Sequence, residues 1–206
     1  MLLHHNQNTV HSTLTSNFSF STIFAATSAA VPVSISVFFC FSGRYTRSSY
    51  RADPGGAADG LESDHRPQHF RGVATARLKL LNIVRPQLAW FGRKDAQQVA
   101  VVKQLVRDLN LDVEIRVVDT VRDADGLALS SRNALLSPKE REQALAIPRA
   151  LATRDAAQAR DILAAARLEP DIVEVADLDG PTLAIAARVG SVRLIDNIPL
   201  PEGDRS

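Results

Sequence analysis

The fold class is predicted chiefly from one stretch of sequence, Leu88-Ala89-Trp90-Phe91-Gly92-Arg93-Lys94-Asp95-Ala96-Gln97-Gln98. Its first four residues form a short apolar run bounded by turn residues, which is typical of a buried strand. Gly92 permits a tight turn, and Asp95 stands where it would cap a following helix. Val113 to Val118 is predicted to be the next strand. Strand, helix and strand with short connections indicate a parallel α/β unit.

Two helices flank the first of these strands. His69 to Val84 is predicted to be helical, and Arg85-Pro86 ends it because the residue before proline disfavours helical geometry. The second helix follows Asp95 and ends at Asn110. Each helix has a predicted buried face at three-to-four spacing: Val73, Arg77, Leu80, Leu81 and Val84 in the first, and Val99, Val102, Val106 and Leu109 in the second.

The C-terminal third of the chain changes character. Ser137-Pro138-Lys139-Glu140 has the cap residue, proline and acid of a helix start. Pro148 should kink or divide this helix, and a second helix is predicted over Asp155 to Leu168. Three short strands then follow, with turns at Gly180-Pro181 and Gly190-Ser191, and they indicate a small antiparallel sheet. The predicted strands are Ile172 to Val175, Leu183 to Ala187 and Val192 to Ile195.

The composition excludes several classes of protein. The chain has 206 residues and a formal net charge of +1, which gives no support for a nucleic-acid partner. A single cysteine, Cys40, excludes an internal disulfide framework and a cysteine-based zinc site. No metal-ligating residues are assigned.

The N-terminal segment differs from the rest of the chain. Residues 1–43 contain no Asp, Glu, Lys or Arg, and Asp53 to Gly60 has the composition of a flexible linker. Three interpretations stay open: a non-native start caused by a frame shift or misplaced start site, an organellar transit peptide, or a membrane anchor over Phe18 to Phe41. We expect residues 1 to about 60 to be disordered or poorly packed, with the fold beginning near Arg66. The predicted domains are 1–65, 66–135 and 136–206.

Two turns carry residues suited to phosphate chemistry. In the Gly92 to Gln98 turn, a helix N-terminus offers free amides, Lys94 adds a charge, and Asp95 can hold a ribose hydroxyl or magnesium. Gln98, one turn on, can direct its amide at a small polar substrate. The alternative is an ordinary strand–turn–helix with a solvated lysine.

The second turn is Ser130-Ser131-Arg132-Asn133. Two hydroxyls and a guanidinium suit a pyrophosphate group, because arginine binds phosphate oxygens in a fork and serine donates to the others. The alternative is a polar surface loop whose serine and asparagine cap a helix.

These segments together resemble successive motifs of the pantothenate synthetase (pantoate–β-alanine ligase) family, in order and at its spacing. The resemblance covers residues 66 to about 200. It rests on Arg66 to Thr75, Asn82 to Pro86, Phe91 to Gln98, Thr120-Val121-Arg122, Asp125 to Asn133 and Leu194-Ile195-Asp196-Asn197. It implies an α/β fold with a partial Rossmann-like parallel sheet of the HIGH-superfamily nucleotidyltransferases, followed by a small α+β lid domain.

The resemblance also implies roles for individual residues. The ATP site would consist of Gly92, Arg93, Lys94 and Asp95, with Val121 near the adenine and Leu129, Ser130, Ser131 and Arg132 closing over the phosphates. Gln98 would bind pantoate, and Arg66 and His69 would line the active site. Lys94, Ser130, Ser131 and Arg132 would carry the catalysis.

The implied reaction joins pantoate to β-alanine with ATP and Mg²⁺, through pantoyl adenylate, to give pantothenate. The family also implies a homodimer in the cytoplasm, with no membrane or nucleic-acid partner. The sequence departs from the family pattern: it contains no His-x-Gly-His segment, and Gln68 and Ile172 replace a usual glycine and tyrosine. The alternative hypothesis is therefore an inactive remnant that serves as a weak nucleotide-binding or dimerising module.

Overall fold

The computed structural model describes residues 50–201 and the backbone of two strands before them. The first sheet has four strands in the order β2-β1-β3-β4. Strands β3 and β4 are parallel, whereas β1 is antiparallel to both β2 and β3. The four strands are β1 (Thr22–Ala26), β2 (Ile35–Phe38), β3 (Leu88–Gly92) and β4 (Glu114–Val118).

The parallel α/β unit predicted from the sequence is confirmed. Helices α2 (His69–Val84) and α3 (Ala96–Asp108) precede and follow β3. The side chain of Phe91 in β3 is 1 % exposed and packs with Val99 and Val102 of α3. The carboxyl end of β3 is thereby fixed, and the turn that follows it faces the C-terminal part of the chain.

The C-terminal part folds as predicted, with small shifts of the element ends. Leu145 separates α4 (Pro138–Ala144) from α5 (Ala146–Ala152) at the division expected near Pro148. Ser137 caps α4 in a complete capping box with Glu140.

A third helix and an antiparallel sheet complete this part. The sheet has the order β5-β6-β7, and its aliphatic side chains pack against the helices around Ile147, Leu163 and Leu183. The elements are α6 (Ala156–Ala165), β5 (Pro170–Asp177), β6 (Pro181–Val189) and β7 (Val192–Pro199).

The segment predicted to be unstructured differs from that expectation in two places. Strands β1 and β2 lie within it and extend the sheet beyond β3. The predicted linker packs against the helices: Gln104 accepts a hydrogen bond from the Ala57 amide, and Leu61 is buried before the short helix α1 (Glu62–His65). Composition marks the glycines here as flexible, but contacts with α3 order the chain. Cys40 and the rest of residues 1–49 lie outside the described residues.

Two local predictions about α3 are corrected. Asp95 belongs to a 3₁₀ turn, Arg93–Asp95, and its side chain makes no capping hydrogen bond to α3. The helix ends at Asp108, and Leu109, predicted to be buried, is exposed. Asn110 adopts a left-handed backbone with φ 48° immediately after the helix, which suits asparagine. No helix in the described part of the chain has the length and apolar character needed to cross a membrane.

Candidate active site

A cavity of about 190 Å³ lies between α2, the start of α3 and the C-terminal sheet. Six residues predicted from the sequence as site residues line it: Arg66, His69, Lys94, Asp95, Gln98 and Arg132. They come from three separate segments of the chain, 66–69, 94–98 and Arg132, so their convergence is a property of the tertiary fold.

The 3₁₀ turn after β3 brings Lys94 and Asp95 to this cavity. The side-chain amide of Asn197 in β7 donates hydrogen bonds to the carbonyl oxygens of Arg93 and Lys94, each at 2.9 Å. These two bonds tie the turn to the C-terminal sheet. Gly92 and Arg93 do not line the cavity: Gly92 is exposed, and Arg93 lies 3.5 Å from the carboxylate of Asp119.

Two predicted residues lie where α1 leads into α2: Arg66 directly follows α1, and His69 begins α2. Burial lowers the pKa of His69 from 6.5 to about 4, and the nearby Arg66 guanidinium acts in the same direction. His69 is therefore a neutral imidazole near pH 7. Burial also lowers the pKa of Arg66. Gln68, which replaces the usual glycine, has a left-handed backbone with φ 64°, a conformation that glycine adopts without strain.

Arg77 lines the cavity, although its helical spacing predicted only that it belongs to the buried face of α2. Its side chain is 3 % exposed, and burial lowers its pKa to about 10, while the Asp95 carboxylate acts in the opposite direction. Its Nη2 atom donates to Oε1 of Gln98 at 3.5 Å. Arg77 thus lies between Asp95 and Gln98 and adds a cation that periodicity alone could not distinguish from a core residue.

The second predicted turn reaches the cavity through one side chain, that of Arg132. Ser130 caps the 3₁₀ turn Ser131–Leu135, and its Oγ accepts a hydrogen bond from the Arg132 amide at 3.2 Å. Ser130 and Ser131 do not line the cavity. Val121 and Leu129 are 60 % and 50 % exposed, respectively, and lie outside it.

An ion pair fixes the beginning of this second segment. The Arg122 guanidinium donates to both carboxylate oxygens of Asp196, at 2.6 and 3.1 Å, and also to the Gly126 carbonyl. Arg141 of α4 pairs with Asp123 and Asp125. The segment from Arg122 to Asn133 is thus anchored to the C-terminal part at its start.

Several further residues in the cavity wall were not predicted as site residues. Glu62 accepts from Arg193 at 2.8 Å, and Gln97 accepts from the Glu62 amide. Asp196 and Asn197 belonged to a recognised motif but received no role. An Asp-Asn pair directly after an apolar strand was the signal available for them. The described residues contain no group of three or more His, Cys, Asp or Glu side chains that could hold a metal ion.

A model of the family described as "Pantoate-beta-alanine ligase" matches residues 19–199. The chain belongs to this family. Pantothenate synthetase of Corynebacterium glutamicum is 48 % identical over 164 residues, which cover 68 % of this chain and 59 % of that protein. Pantothenate synthetase of Mycolicibacterium smegmatis is 47 % identical over 177 residues, or 77 % of this chain and 56 % of the relative.

Solved structures of the family have the same fold. Pantothenate synthetase from Thermus thermophilus superposes with a TM-score of 0.67 at 35 % identity, covering 73 % of this chain and 63 % of its own. Pantoate-beta-alanine ligase from Francisella tularensis, in complex with beta-gamma ATP and beta-alanine, gives 0.64 at 34 % identity and covers 73 % and 58 %. The predicted family and fold class are confirmed. The chain spans less than two thirds of the length of these relatives.

Proposed function

We propose that the cavity binds ATP and that this chain forms the C-terminal part of a pantoate–β-alanine ligase active site. The observation that carries the proposal is the convergence of Lys94, Gln98 and Arg132 on one cavity. The family resemblance implies that each of these residues binds ATP or pantoate, and that implication rests on the sequence and not on where the fold places them. Coincidental surface residues would not be expected to meet in this way.

The charges of the cavity suit a polyanionic substrate. Four cationic side chains line the cavity: Arg66, Arg77, Lys94 and Arg132. Its wall also contains the carboxylates of Asp95 and Glu62, and a third carboxylate, that of Asp196, is paired with Arg122. ATP phosphates would gain from these fixed cations, because preorganised charges in a partly buried site act more strongly than they do in water. His69 is neutral near pH 7 and would contribute hydrogen bonds rather than charge.

The proposed reaction has two displacement steps. A carboxylate oxygen of pantoate attacks the α-phosphorus of ATP, and the bond to the bridging oxygen breaks with release of pyrophosphate. The amine of β-alanine then attacks the acyl carbon, loses a proton and displaces AMP. Lys94 and Arg132 would stabilise the charge on the phosphates, Ser130 and Ser131 would donate to them after the loop closes, and Gln98 would orient pantoate.

The residues present are compatible with magnesium bound mainly through ATP. Mg²⁺ is usually held by one or two carboxylates together with substrate phosphates and water. Asp95 supplies one carboxylate beside Lys94. When bound, Mg²⁺ would neutralise part of the phosphate charge.

The proposal extends to the oligomeric state, the cellular location and the substrates of the whole protein. The family resemblance implies a cytoplasmic homodimer that uses pantoate and β-alanine as substrates. Light scattering of the purified protein during gel filtration would test the dimer, because a homodimer has twice the mass of the 22.4 kDa chain.

The proposal is tested by AMP formation from ATP, Mg²⁺, pantoate and β-alanine. The given sequence contains no His-x-Gly-His segment, so the assay uses a chimera that joins this chain to that region of a homologous enzyme. In the chimera, Lys94→Ala and Arg132→Ala should each reduce turnover by about 10²–10³, the usual effect of removing one preorganised charge-stabilising group. Lys139→Ala, outside the cavity, is the matched control.

The outcome separates this proposal from the inactive-remnant hypothesis. Pantoate-dependent AMP formation by the chimera, lost in both cavity variants, supports the ligase. Turnover that stays within about threefold of the parent, which is under 1 kcal/mol, would refute the site assignment. ATP binding without any turnover in the chimera would favour the remnant.

A further inference from the structure

Two adjacent polar residues, Asp196 and Asn197, are buried near the end of β7. Asp196 is 3 % exposed and Asn197 is 5 % exposed. Burial of a charge or an amide is unfavourable unless hydrogen bonds replace those lost to water. Both carboxylate oxygens of Asp196 and the amide nitrogen of Asn197 have partners, whereas Oδ1 of Asn197 is buried without a hydrogen bond among the described residues.

Asn197 holds the first phosphate-binding segment. Its Nδ2 group donates to the carbonyl oxygens of Arg93 and Lys94, which lie about a hundred residues earlier in the chain. Both bonds are 2.9 Å long, and they fix the backbone from which the Lys94 side chain projects. The same bonds set the orientation of the amide, because only its nitrogen can donate to two carbonyls.

Asp196 holds the second segment. Its two carboxylate oxygens accept from the two terminal nitrogens of Arg122, a fork-to-fork pair that fixes direction as well as distance. One of these oxygens also accepts from the Asn197 backbone amide at 2.8 Å. Arg122 in turn donates to the Gly126 carbonyl at the start of the loop that leads to Arg132.

We propose that Asp196 and Asn197 are positioning residues: together they hold the Lys94 turn and the start of the second segment, Arg122 to Gly126, at a fixed separation. Neither residue needs to contact a phosphate to do this. Because the two are consecutive in β7, a shift of the C-terminal sheet would move both segments together. The significance of this coupling for ATP rests on the proposed function, but the coupling itself does not.

The test is hydrogen exchange, followed peptide by peptide, on the full chain. Asn197→Asp keeps the size of the side chain but replaces its donor by an oxygen facing two carbonyls. Asp196→Asn removes the charge that pairs with Arg122. Asp179→Asn is the matched control, because Asp179 also joins the two parts of the chain, through Lys103 at 2.5 Å, away from both segments. Its backbone has φ 70°, which asparagine tolerates.

We expect selective changes. Asn197→Asp should raise the exchange of amides 92–95 by about tenfold or more, and Asp196→Asn should do the same for amides 122–129. Arg122→Gln, a surface change, should reproduce the Asp196→Asn pattern. A variant that carries both changes should exchange no faster than either single variant, because Asp196 and Arg122 act as a pair. Asp179→Asn should leave both segments unchanged. Unfolding curves measured on the same variants identify any variant that fails to fold. If Asp196→Asn fails to fold, the exchange pattern of Arg122→Gln shows whether Asp196 has the proposed role.

Two results would overturn the inference. One is unchanged exchange of both segments in Asn197→Asp and Arg122→Gln. The other is an equal rise throughout the molecule, which would indicate general destabilisation. The affinity for a fluorescent ATP analogue is a second measurement. If the parent binds the analogue, Asp196→Asn and Asn197→Asp should each bind it about tenfold more weakly, and the control Asp179→Asn should bind it as the parent does. If the parent does not bind it, the proposed function fails, while the exchange data still decide the coupling.

Discussion

The two segments proposed to bind phosphate differ in what holds them. The turn after β3 lies between a buried strand and a helix, and it brings Lys94 and Asp95 to the cavity. The loop from Val121 to Asn133 brings only Arg132 to the cavity; Leu127 anchors its middle in the core of the C-terminal part, but Val121 and Leu129 are exposed. The first segment directly follows a buried strand, whereas the end of the second, from Leu129 to Asn133, contains no buried side chain.

The turn after β3 is the preorganised half of the site. Phe91, at the end of β3, is fully packed, so the position of Lys94 is determined when the core forms. Leu129 to Asn133, here called the serine loop, holds its own shape through hydrogen bonds of Ser130 and Asn133, and none of its five residues is buried. We therefore expect the loop, and not the turn, to move when a nucleotide enters, because segments with few buried contacts open most easily.

The largest expected effect tests this contrast directly. Phe91→Ala removes a fully buried ring beneath the Lys94 turn and should lower the free energy of unfolding by about 3–5 kcal/mol. Leu129→Ala in the loop should change it by less than about 0.5 kcal/mol, because the side chain is half exposed. Urea unfolding of both variants measures the difference. Similar losses in the two variants would contradict the contrast.

A second prediction concerns pH and the α2 side of the cavity. His69 has a folded pKa of about 4 against an ordinary value of 6.5. The unfolded chain therefore binds the proton more readily, and the stabilisation present above pH 6.5 is lost as the pH falls towards 4. We expect this proton uptake at His69 to lower the free energy of unfolding by about 2 kcal/mol, a value that allows for the partial exposure of the side chain.

The measurement is the free energy of unfolding from pH 7.5 to 4, recorded for the parent and for His69→Gln. The variant should show the weaker pH dependence, and His65→Gln, which alters an exposed histidine nearby, should follow the parent. Parallel curves for the parent and His69→Gln would contradict the assignment of a buried neutral imidazole.

The smallest expected effect concerns the local order of the loop. Ser130→Ala removes the side chain that caps the 3₁₀ turn Ser131–Leu135 and should cost about 0.5–1 kcal/mol. Ser131→Ala removes a neighbouring hydroxyl that makes no cap and is the control. Proteolysis of the folded protein should cut the loop faster in Ser130→Ala only. Equal cleavage of both variants would mean that the cap does not order the loop.

Much of the fold follows from local patterns in the sequence. The apolar run Leu88 to Phe91 forms a strand, and the helix after it buries the predicted face except at Leu109. The three C-terminal strands have the predicted antiparallel order. The helix expected to kink or divide near Pro148 is divided at Leu145. These features depend on periodicity, proline and turn residues, which act over short distances.

The features that were missed depend on tertiary contacts. Arg77 has the spacing of a core residue, and only packing beside Asp95 and Gln98 reveals a cation in the cavity wall. Asp53 to Gly60 has the composition of a linker, but α3 supplies hydrogen bonds that order it. Nothing local to β7 indicates that Asn197 reaches the Lys94 turn, because that contact joins residues about a hundred positions apart.

The most direct test of the central claim, that one cavity joins both segments around ATP, is a crystal structure of this chain with a non-hydrolysable ATP analogue. We predict phosphate oxygens within hydrogen-bonding distance of the Lys94 ammonium and the Arg132 guanidinium, with the serine loop shifted towards them and the Lys94 turn unchanged. Phosphates bound instead beside Arg51 and Arg71, in the neighbouring pocket that shares Arg66 and His69 with the cavity, and not at Lys94 or Arg132, would contradict this claim.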